Sequence, residues 1–119
     1  MKRIIVAGGR DFSGVTVLRG ILDRVKKPFM LVSGGARGAD LLGEEWAMDE
    51  GVDVVRFPFN KSRGKSGGPF RNGLMVDYAD GLIAFWDGES RGTADVIKKA
   101  KKAGLTVVVF DYNGKKMGF

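Results

Sequence analysis

Neither cysteine nor histidine occurs in this chain of 119 residues. The lack of cysteine excludes disulfides and thiolate chemistry. The lack of histidine removes the commonest general base, the Ser-His-Asp triad and most zinc sites. Any catalysis must therefore use carboxylates, hydroxyls, lysine or arginine, and we expect neither a metal ion nor a cofactor.

Long apolar runs are missing as well. The apolar stretches have the length of single strands, and the one near the N-terminus is too short for a signal peptide. These absences predict a cytoplasmic protein with no membrane partner. The length favours one domain, residues 1–110, followed by a short basic tail at 111–119. The net charge of +6 suits nucleic acid or phosphate partners.

The apolar segments alternate between strand and helix patterns. Short β-branched runs predict strands at 3–7, 29–33, 53–57, 81–85 and 106–110. Apolar residues at helical spacing predict helices that begin near Val15, Ala39, Pro69 and Thr93. Helical connections impose parallel pairing, and strands without alternation are buried on both faces. The pattern predicts an α/β fold, a doubly wound, mainly parallel five-stranded sheet with helices on both faces.

In such a sheet, the loops that follow the strands emerge at the carboxyl edge, where ligands bind. Here these loops contain seven basic residues and three acidic ones. The basic residues are Arg10, Arg37, Lys61, Arg63, Lys65, Arg71 and Arg91. The excess of positive charge favours an anionic ligand, although loops that are merely solvated remain an alternative.

The stretch LVSGGARGADLLGEEWA, residues 31–47, joins a predicted strand to a predicted helix through three glycines and Arg37. Glycines let a ligand approach the backbone, and a helix N-terminus offers N–H groups to an anion. Arg37 can clamp a phosphate. The spacing is neither G-x-G-x-x-G nor a Walker A motif. An anion cradle and a simple tight turn are both compatible with it.

Two further features lie on the same edge. Arg71 precedes Leu74 and Met75 by three and four residues, which places it on their helix face, in the first turn, beside an anionic group of the ligand. In GESRGTAD, residues 88–95, Gly92 and Thr93 can donate to a ligand beside Asp95, or Thr93 and Asp95 only cap the helix. The alternative for Arg71 is a structural ion pair with Asp80, Asp87 or Asp95.

These motifs resemble a known superfamily. VSGGARGAD is similar to the glycine motif of the DNA-processing protein A family, and FRNGLMVDYADGLIAF with SRGTAD is similar to that family and to the Lonely Guy phosphoribohydrolases. Both belong to the SLOG superfamily of Rossmann-like domains. With AGGRDF and GPFRN, residues 3–110 resemble the YspA-like (YpsA-related) SLOG proteins. The resemblance implies a Rossmann-like domain that binds a nucleotide or nucleotide-derived ligand.

The motifs and the resemblance together define a candidate site. The candidate ligand-binding residues are Gly8, Gly9, Arg10, Asp11, Ser33, Gly34, Gly35, Arg37, Gly38, Asp40, Arg71, Asn72, Gly92 and Thr93. The Lonely Guy pattern further implies Arg71 and Asp95 as candidate catalytic residues. Asp95 replaces the glutamate of that pattern, and its Pro-Gly-Gly is absent here.

Three functions follow. The leading one is binding of a nucleoside phosphate or ADP-ribose-like ligand, as a sensor or processing domain. The alternatives are N-glycosidic hydrolysis of nucleoside monophosphates, and single-stranded nucleic-acid binding through residues 61–65 and Trp86. Apolar residues away from the predicted core faces also favour a homodimer or higher oligomer. They are Leu41, Met48, Phe70 and Tyr78.

Overall fold

The computed structural model describes residues 1–59 and 61–118, with the backbone only at Lys61. Within these residues the strands are Lys2–Gly8 (β1), Phe29–Ser33 (β2), Val54–Arg56 (β3), Gly81–Phe85 (β4), Thr106–Phe110 (β5) and Lys116–Met117 (β6). The α-helices are Val15–Leu22 (α1), Ala39–Glu50 (α2), Gly67–Tyr78 (α3) and Arg91–Lys102 (α4). A 3-10 helix, Lys61–Ser66, leads into α3.

The strands form one sheet in the order β3-β2-β1-β4-β5-β6. The first five strands pair in parallel, and β6 pairs antiparallel with β5. The predicted α/β, mainly parallel sheet is therefore confirmed, with six strands in place of five. β6 lies in the expected tail, where Asp111 accepts hydrogen bonds from the backbone N–H groups of Asn113 and Lys115 and turns the chain back. A two-residue strand is too short to produce a sequence pattern.

Helices cover both faces of this sheet. α1 and α2 close one face around Leu18, Leu22 and Trp46, and α3 and α4 close the other around Met75 and Val96. The strand order reverses between β1 and β4, so the loops that follow these two strands diverge and leave a crevice at the carboxyl edge. The topology therefore places the candidate site between β1 and β4.

Two helix starts differ from the sequence-based expectation. α3 begins at Gly67, so Arg71 lies in its second turn and not its first, and Leu74 is exposed. The Gly-Gly pair that opens this helix has low helix propensity, which hides its start. α4 is capped by Ser90, whose hydroxyl accepts from the Thr93 N–H, so Thr93 lies inside the helix.

The surfaces expected to form an oligomer are only partly exposed. Met48 on α2 and Phe70 on α3 are 81% and 46% exposed, whereas Tyr78 packs on Phe57 with ring centroids 5.5 Å apart. Self-association through α2 and α3 stays a prediction. Of the helices described, none has the length and hydropathy needed to cross a membrane.

The backbone around Gly38 supplies a test of how tightly the carboxyl edge is packed. Gly38 has φ of 81°, and a Cβ atom there would lie 2.2 Å from the carbonyl oxygen of Gly9. Gly104 has the same φ with open space around it. We expect Gly104→Ala to cost about 1–2 kcal/mol of unfolding free energy for the backbone conformation alone. Gly38→Ala should cost at least about 2 kcal/mol more, because the clash adds to it and because its ψ of −131° lies outside the left-handed helical region that alanine can adopt.

Urea denaturation of both variants measures the difference. Equal losses would show that the loop after β1 moves away from Gly38 without cost, contrary to the packing described.

Candidate functional site

A cleft of 590 Å³, the main cleft, opens at the carboxyl edge between the loops that follow β1 and β4. The first residues of α3 and α4 close its other sides. It brings together most of the residues selected from the sequence. They are Gly8, Gly9, Arg10, Asp11, Asp40, Arg71, Asn72, Gly92, Thr93 and Asp95.

A second cleft of 510 Å³ adjoins the main cleft. We call it the arginine cleft, since the charged residues that line it are Arg10, Arg37, Arg56 and Arg71. Gly34 and Gly35 also line it. Its wall shares Arg10, Ala36, Phe59 and Arg71 with the main cleft. Arg37, Gly34 and Gly35 therefore lie beside the main cleft and not within it.

Ser33 and Gly38 line neither cleft. Ser33 is completely buried, and its hydroxyl donates to Glu44 Oε2 at 2.5 Å and accepts from the Gly35 N–H at 3.0 Å. Gly38 packs against the backbone of the loop after β1. Both residues shape the loop between β2 and α2 instead of presenting groups to a ligand.

Three N–H groups at the start of this loop are already used. The Gly34 and Ala36 N–H groups donate to Asp40 Oδ2 at 3.1 and 3.4 Å, and the Gly35 N–H donates to Ser33. A backbone cradle for phosphate needs free N–H groups. These three N–H groups are therefore not available to an anion, and the cradle and the tight turn both stay predictions for the rest of the loop.

The glycines of the site mostly allow protein to pack closely on protein. A Cβ atom at Gly34 would lie 2.3 Å from Arg71 Nη1, and one at Gly9 would lie 1.9 Å from the Tyr112 hydroxyl. A Cβ atom at Gly8 would lie 2.6 Å from the carbonyl oxygen of Phe85. Gly92 is different, since its Cα faces open space within the main cleft.

Arg71 connects α3 to the glycine loop. Its Nη1 donates to the carbonyl oxygen of Gly34 at 2.6 Å, and its Nε donates to Asn72 Oδ1 at 3.1 Å. Among the residues described, Arg71 forms no ion pair with Asp80, Asp87 or Asp95. Burial lowers the pKa of Arg71, and Arg10 lowers it further, while Asp40 raises it. The guanidinium remains charged at physiological pH.

Asp40 is the buried carboxylate of the site, with 4% of its surface exposed. Burial raises its pKa to about 6, against the opposing effects of the Arg71 charge and the two loop N–H groups. When Asp40 is protonated, its carboxyl group still accepts the loop hydrogen bonds and carries no charge that would repel an anion nearby. An ionised Asp40 partly cancels the charge of Arg71.

Asn72 and Asp95 connect α3 to α4 at the main cleft. Asn72 Nδ2 donates to Asp95 Oδ2 at 3.0 Å and to the Gly92 carbonyl oxygen at 3.2 Å. Lys99 Nζ donates to the same Oδ2 at 2.9 Å and to the Pro69 carbonyl oxygen at 2.7 Å. Asp95 Oδ1 has no hydrogen-bond partner among the described residues. The carboxylate is therefore held in place through one oxygen only.

The acidic groups of the main cleft each accept a hydrogen bond, whereas several basic groups do not interact. Tyr112 donates to Asp11 Oδ1 at 2.6 Å, and Asp87 accepts from the Glu89 and Ser90 N–H groups, which lowers its pKa. Within residues 1–59 and 61–118, three charged side chains of this lining form no hydrogen bond or ion pair. They are Arg10, Lys65 and Arg91. The lining holds four basic and four acidic side chains, so its charges balance. The three basic side chains without partners are nevertheless available to contact an anion.

The residues proposed for nucleic-acid binding, 61–65 and Trp86, fall in different places. Lys65 lines the main cleft. Trp86 packs against the core beneath α3 and α4, and its indole N–H donates to the Ser90 carbonyl oxygen at 3.1 Å. Trp86 lines neither cleft. The side chain of Lys61 lies outside the described residues.

Sequence reasoning missed several residues of the site. Lys65 and Arg91 were named among the basic residues of the ligand-edge loops but not among the candidate ligand-binding residues, and both line the main cleft. Asp87 also lines it and lies in the loop that follows β4, which was the available signal. Arg56 ends a strand and pairs with Glu44, which no local pattern indicates. The side chains of Phe59, Ser90 and Tyr112 were also missed.

The sequence and the fold are both similar to those of known proteins. The model of the family described as "YspA, cpYpsA-related SLOG family" matches residues 2–64, more than half of the chain. The chain belongs to the YspA-related SLOG family. It is also 35% identical to the Gene 61 protein of Mycobacterium phage D29, over 92% of this chain and 97% of that protein.

The fold of this SLOG protein resembles a larger one. The X-ray structure of DNA processing protein A (DprA) from Streptococcus pneumoniae matches with a TM-score of 0.75 at 19% identity. The match covers 92% of this chain and 49% of that one, so the SLOG chain spans about half the length of the DprA chain. At this identity the likeness shows a shared fold.

The raised pKa of Asp40 makes stability depend on pH. Its folded-state pKa of about 6 exceeds the ordinary value of 3.8, so the folded protein binds the extra proton and loses stability as pH rises from about 4 to 6. Asp40→Asn removes this titration. Between pH 4 and pH 7 we expect the stability difference between the two proteins to shift by up to about 3 kcal/mol in favour of the variant.

Denaturant unfolding across this pH range measures the shift. Asp77→Asn, at an exposed position of α3, controls for the loss of one carboxylate. A difference that stays constant with pH for Asp40→Asn would contradict the assignment.

Proposed function

We propose that the protein binds a nucleotide or a nucleotide-derived ligand in the main cleft, as a sensor or processing domain. One observation carries this proposal. At the crevice between β1 and β4, every acidic side chain accepts a hydrogen bond from the protein, while Arg10, Lys65 and Arg91 form none with the described residues. Such a site keeps its carboxylates in place, leaves three basic side chains available to an anion, and lies where ligands of doubly wound sheets bind.

The cleft suits this class of ligand in size and chemistry. Its 590 Å³ lies within the range of small-molecule sites. Arg10 and Arg71 supply charge for a phosphate, and the first N–H groups of α4, beside the open Gly92, supply donors. Asp11 and Asp87 supply carboxylates of the kind that bind ribose hydroxyls. Membership of the SLOG family supports a nucleotide-related role.

Arg71 is the residue on which phosphate binding should depend most. Arg71→Ala should weaken binding by about 2–4 kcal/mol, the cost of losing a buried charge-assisted contact. That loss corresponds to roughly 30- to 1000-fold in the dissociation constant. Isothermal titration with nucleoside monophosphates, ADP-ribose and cyclic nucleotides measures it.

Arg24→Ala serves as the control, because Arg24 is exposed after the end of α1, at the opposite edge of the sheet. Melting temperatures separate lost binding from lost folding, since Arg71 also donates to Gly34. If Arg71→Ala stays folded and binds as wild type, the phosphate site does not include Arg71. Absence of wild-type binding to the whole panel at millimolar concentration would refute the proposed function.

A second candidate function, N-glycosidic hydrolysis of a nucleoside monophosphate, is favoured by the arrangement of Asp95. Asn72 and Lys99 hold its Oδ2, while its Oδ1 has no partner among the described residues. The free oxygen is available to take a proton from water or to stabilise positive charge on the sugar. Water then adds to C1′, the C1′–N bond breaks, and the base leaves with a proton.

Asp95→Asn tests this second function directly. It should abolish release of free base from AMP, because an amide cannot take a proton from water. The affinity for AMP should change far less, because Asn72 and Lys99 can still donate to the carbonyl oxygen that remains. Chromatography of the reaction measures the base. Asp95→Glu, which restores the glutamate of the Lonely Guy pattern, is the matched variant and should retain or raise the rate. No base release by wild type, or equal release by Asp95→Asn, would rule out this function for Asp95.

A further inference from the structure

We propose that the ligand carries two consecutive phosphate groups, as in a nucleoside diphosphate or its sugar-linked derivative, with one phosphate in the arginine cleft. This inference rests on the proposed function, since it assumes that the nucleoside part lies in the main cleft. It gives Arg37 a phosphate to bind, whereas a nucleoside monophosphate would leave Arg37 without a contact.

The two clefts differ in charge. The main cleft contains Asp11, Asp40, Asp87 and Asp95 beside its basic residues. In the arginine cleft, by contrast, all the charged residues among the described lining are arginines. A ligand that matches both clefts has a part rich in hydroxyls and a part that carries concentrated negative charge.

Two of these arginines are free to bind. Arg56 forms an ion pair with Glu44, which compensates its charge. Arg10 and Arg37 are exposed, and neither side chain has a hydrogen bond or an ion pair with any residue described. The N–H groups of Gly34, Gly35 and Ala36 donate within the loop and are not available to an anion, so Arg10 and Arg37 supply the charge that would bind one here.

The boundary between the clefts is itself a place for an anion. Arg10 and Arg71 belong to both linings, and Arg10 is near enough to lower the pKa of Arg71. Two guanidinium groups at this distance repel each other, and a phosphate between them removes the repulsion. Arg71 cannot turn away freely, because it donates to Gly34 and Asn72.

The shared boundary favours two adjacent phosphates over a nucleic-acid strand. The two clefts have four lining residues in common, so phosphates bound in them would lie next to each other. In a nucleic-acid strand, by contrast, a sugar separates each phosphate from the next. Single-stranded nucleic acid is also bound by several aromatic side chains that stack on successive bases. Phe59 supplies the single aromatic ring among the described lining of the two clefts, which suits one nucleoside.

Isothermal titration of AMP, ADP, ADP-ribose and a twelve-residue oligothymidylate into the whole protein and its Arg37→Gln variant tests this inference. We expect wild type to bind ADP and ADP-ribose about tenfold more tightly than AMP, the effect of one added charge-assisted contact. In Arg37→Gln the ratio of ADP to AMP affinity should fall to about one. Arg24→Gln, which removes the same charge at the opposite edge of the sheet, should retain the wild-type ratio.

The outcomes are distinguishable. Equal affinity of wild type for AMP and ADP, or equal weakening of both by Arg37→Gln, would overturn the two-phosphate assignment and leave the proposed function standing. Tighter binding of the oligothymidylate than of ADP would overturn it in favour of a nucleic-acid strand. Failure of all these compounds to bind would overturn both proposals.

Discussion

The contact of Arg71 with the carbonyl oxygen of Gly34 holds the carboxyl edge together. The 2.6 Å hydrogen bond requires position 34 to have no side chain, because a Cβ atom would meet the guanidinium. Beneath it, Asp40 accepts from the N–H groups of Gly34 and Ala36 and places a partly compensating charge near Arg71. Arginine, glycine loop and aspartate thus form one unit that joins α3 to the turn between β2 and α2.

This unit explains why the site has charge available for a ligand. Its buried members satisfy one another, so the glycine loop keeps its shape without a bound anion. The exposed arginines around it, Arg10 and Arg37, are left without partners among the described residues. In the function that we propose, the anion meets a preformed site and does not have to order the loop, which reduces the entropic cost of binding.

A second unit, formed by Asn72, Asp95 and Lys99, joins α3 to α4 on the other side of the main cleft. A third contact comes from the C-terminal segment, where Tyr112 donates to Asp11 and packs on Phe12. These contacts fix the walls of the main cleft from three directions. The YspA-related SLOG protein therefore builds its candidate site by bringing together segments that are far apart in the chain.

Much of the fold could be predicted because its signals are local. β2, β4 and β5 have the bounds, and α2 has the start, expected from continuous apolar runs, helical periodicity and the glycines that flank them. The start of α3 was hidden by its Gly-Gly pair, and β6 by its two-residue length. The edge of the sheet that holds the site was predictable for the same reason, since parallel strands fix where their loops emerge.

The partners of the site residues depended on tertiary structure. The sequence by itself determined the parallel sheet, its ligand edge and the set of charged and glycine residues there, because periodicity and turn chemistry act over a few residues. It did not determine that Asp40 and Ser33 occupy the loop N–H groups, that Arg71 meets Gly34, or that the arginines divide between two clefts. Those contacts join residues as far apart as Asp11 and Tyr112, and only the packing of the helices on the sheet sets their distances.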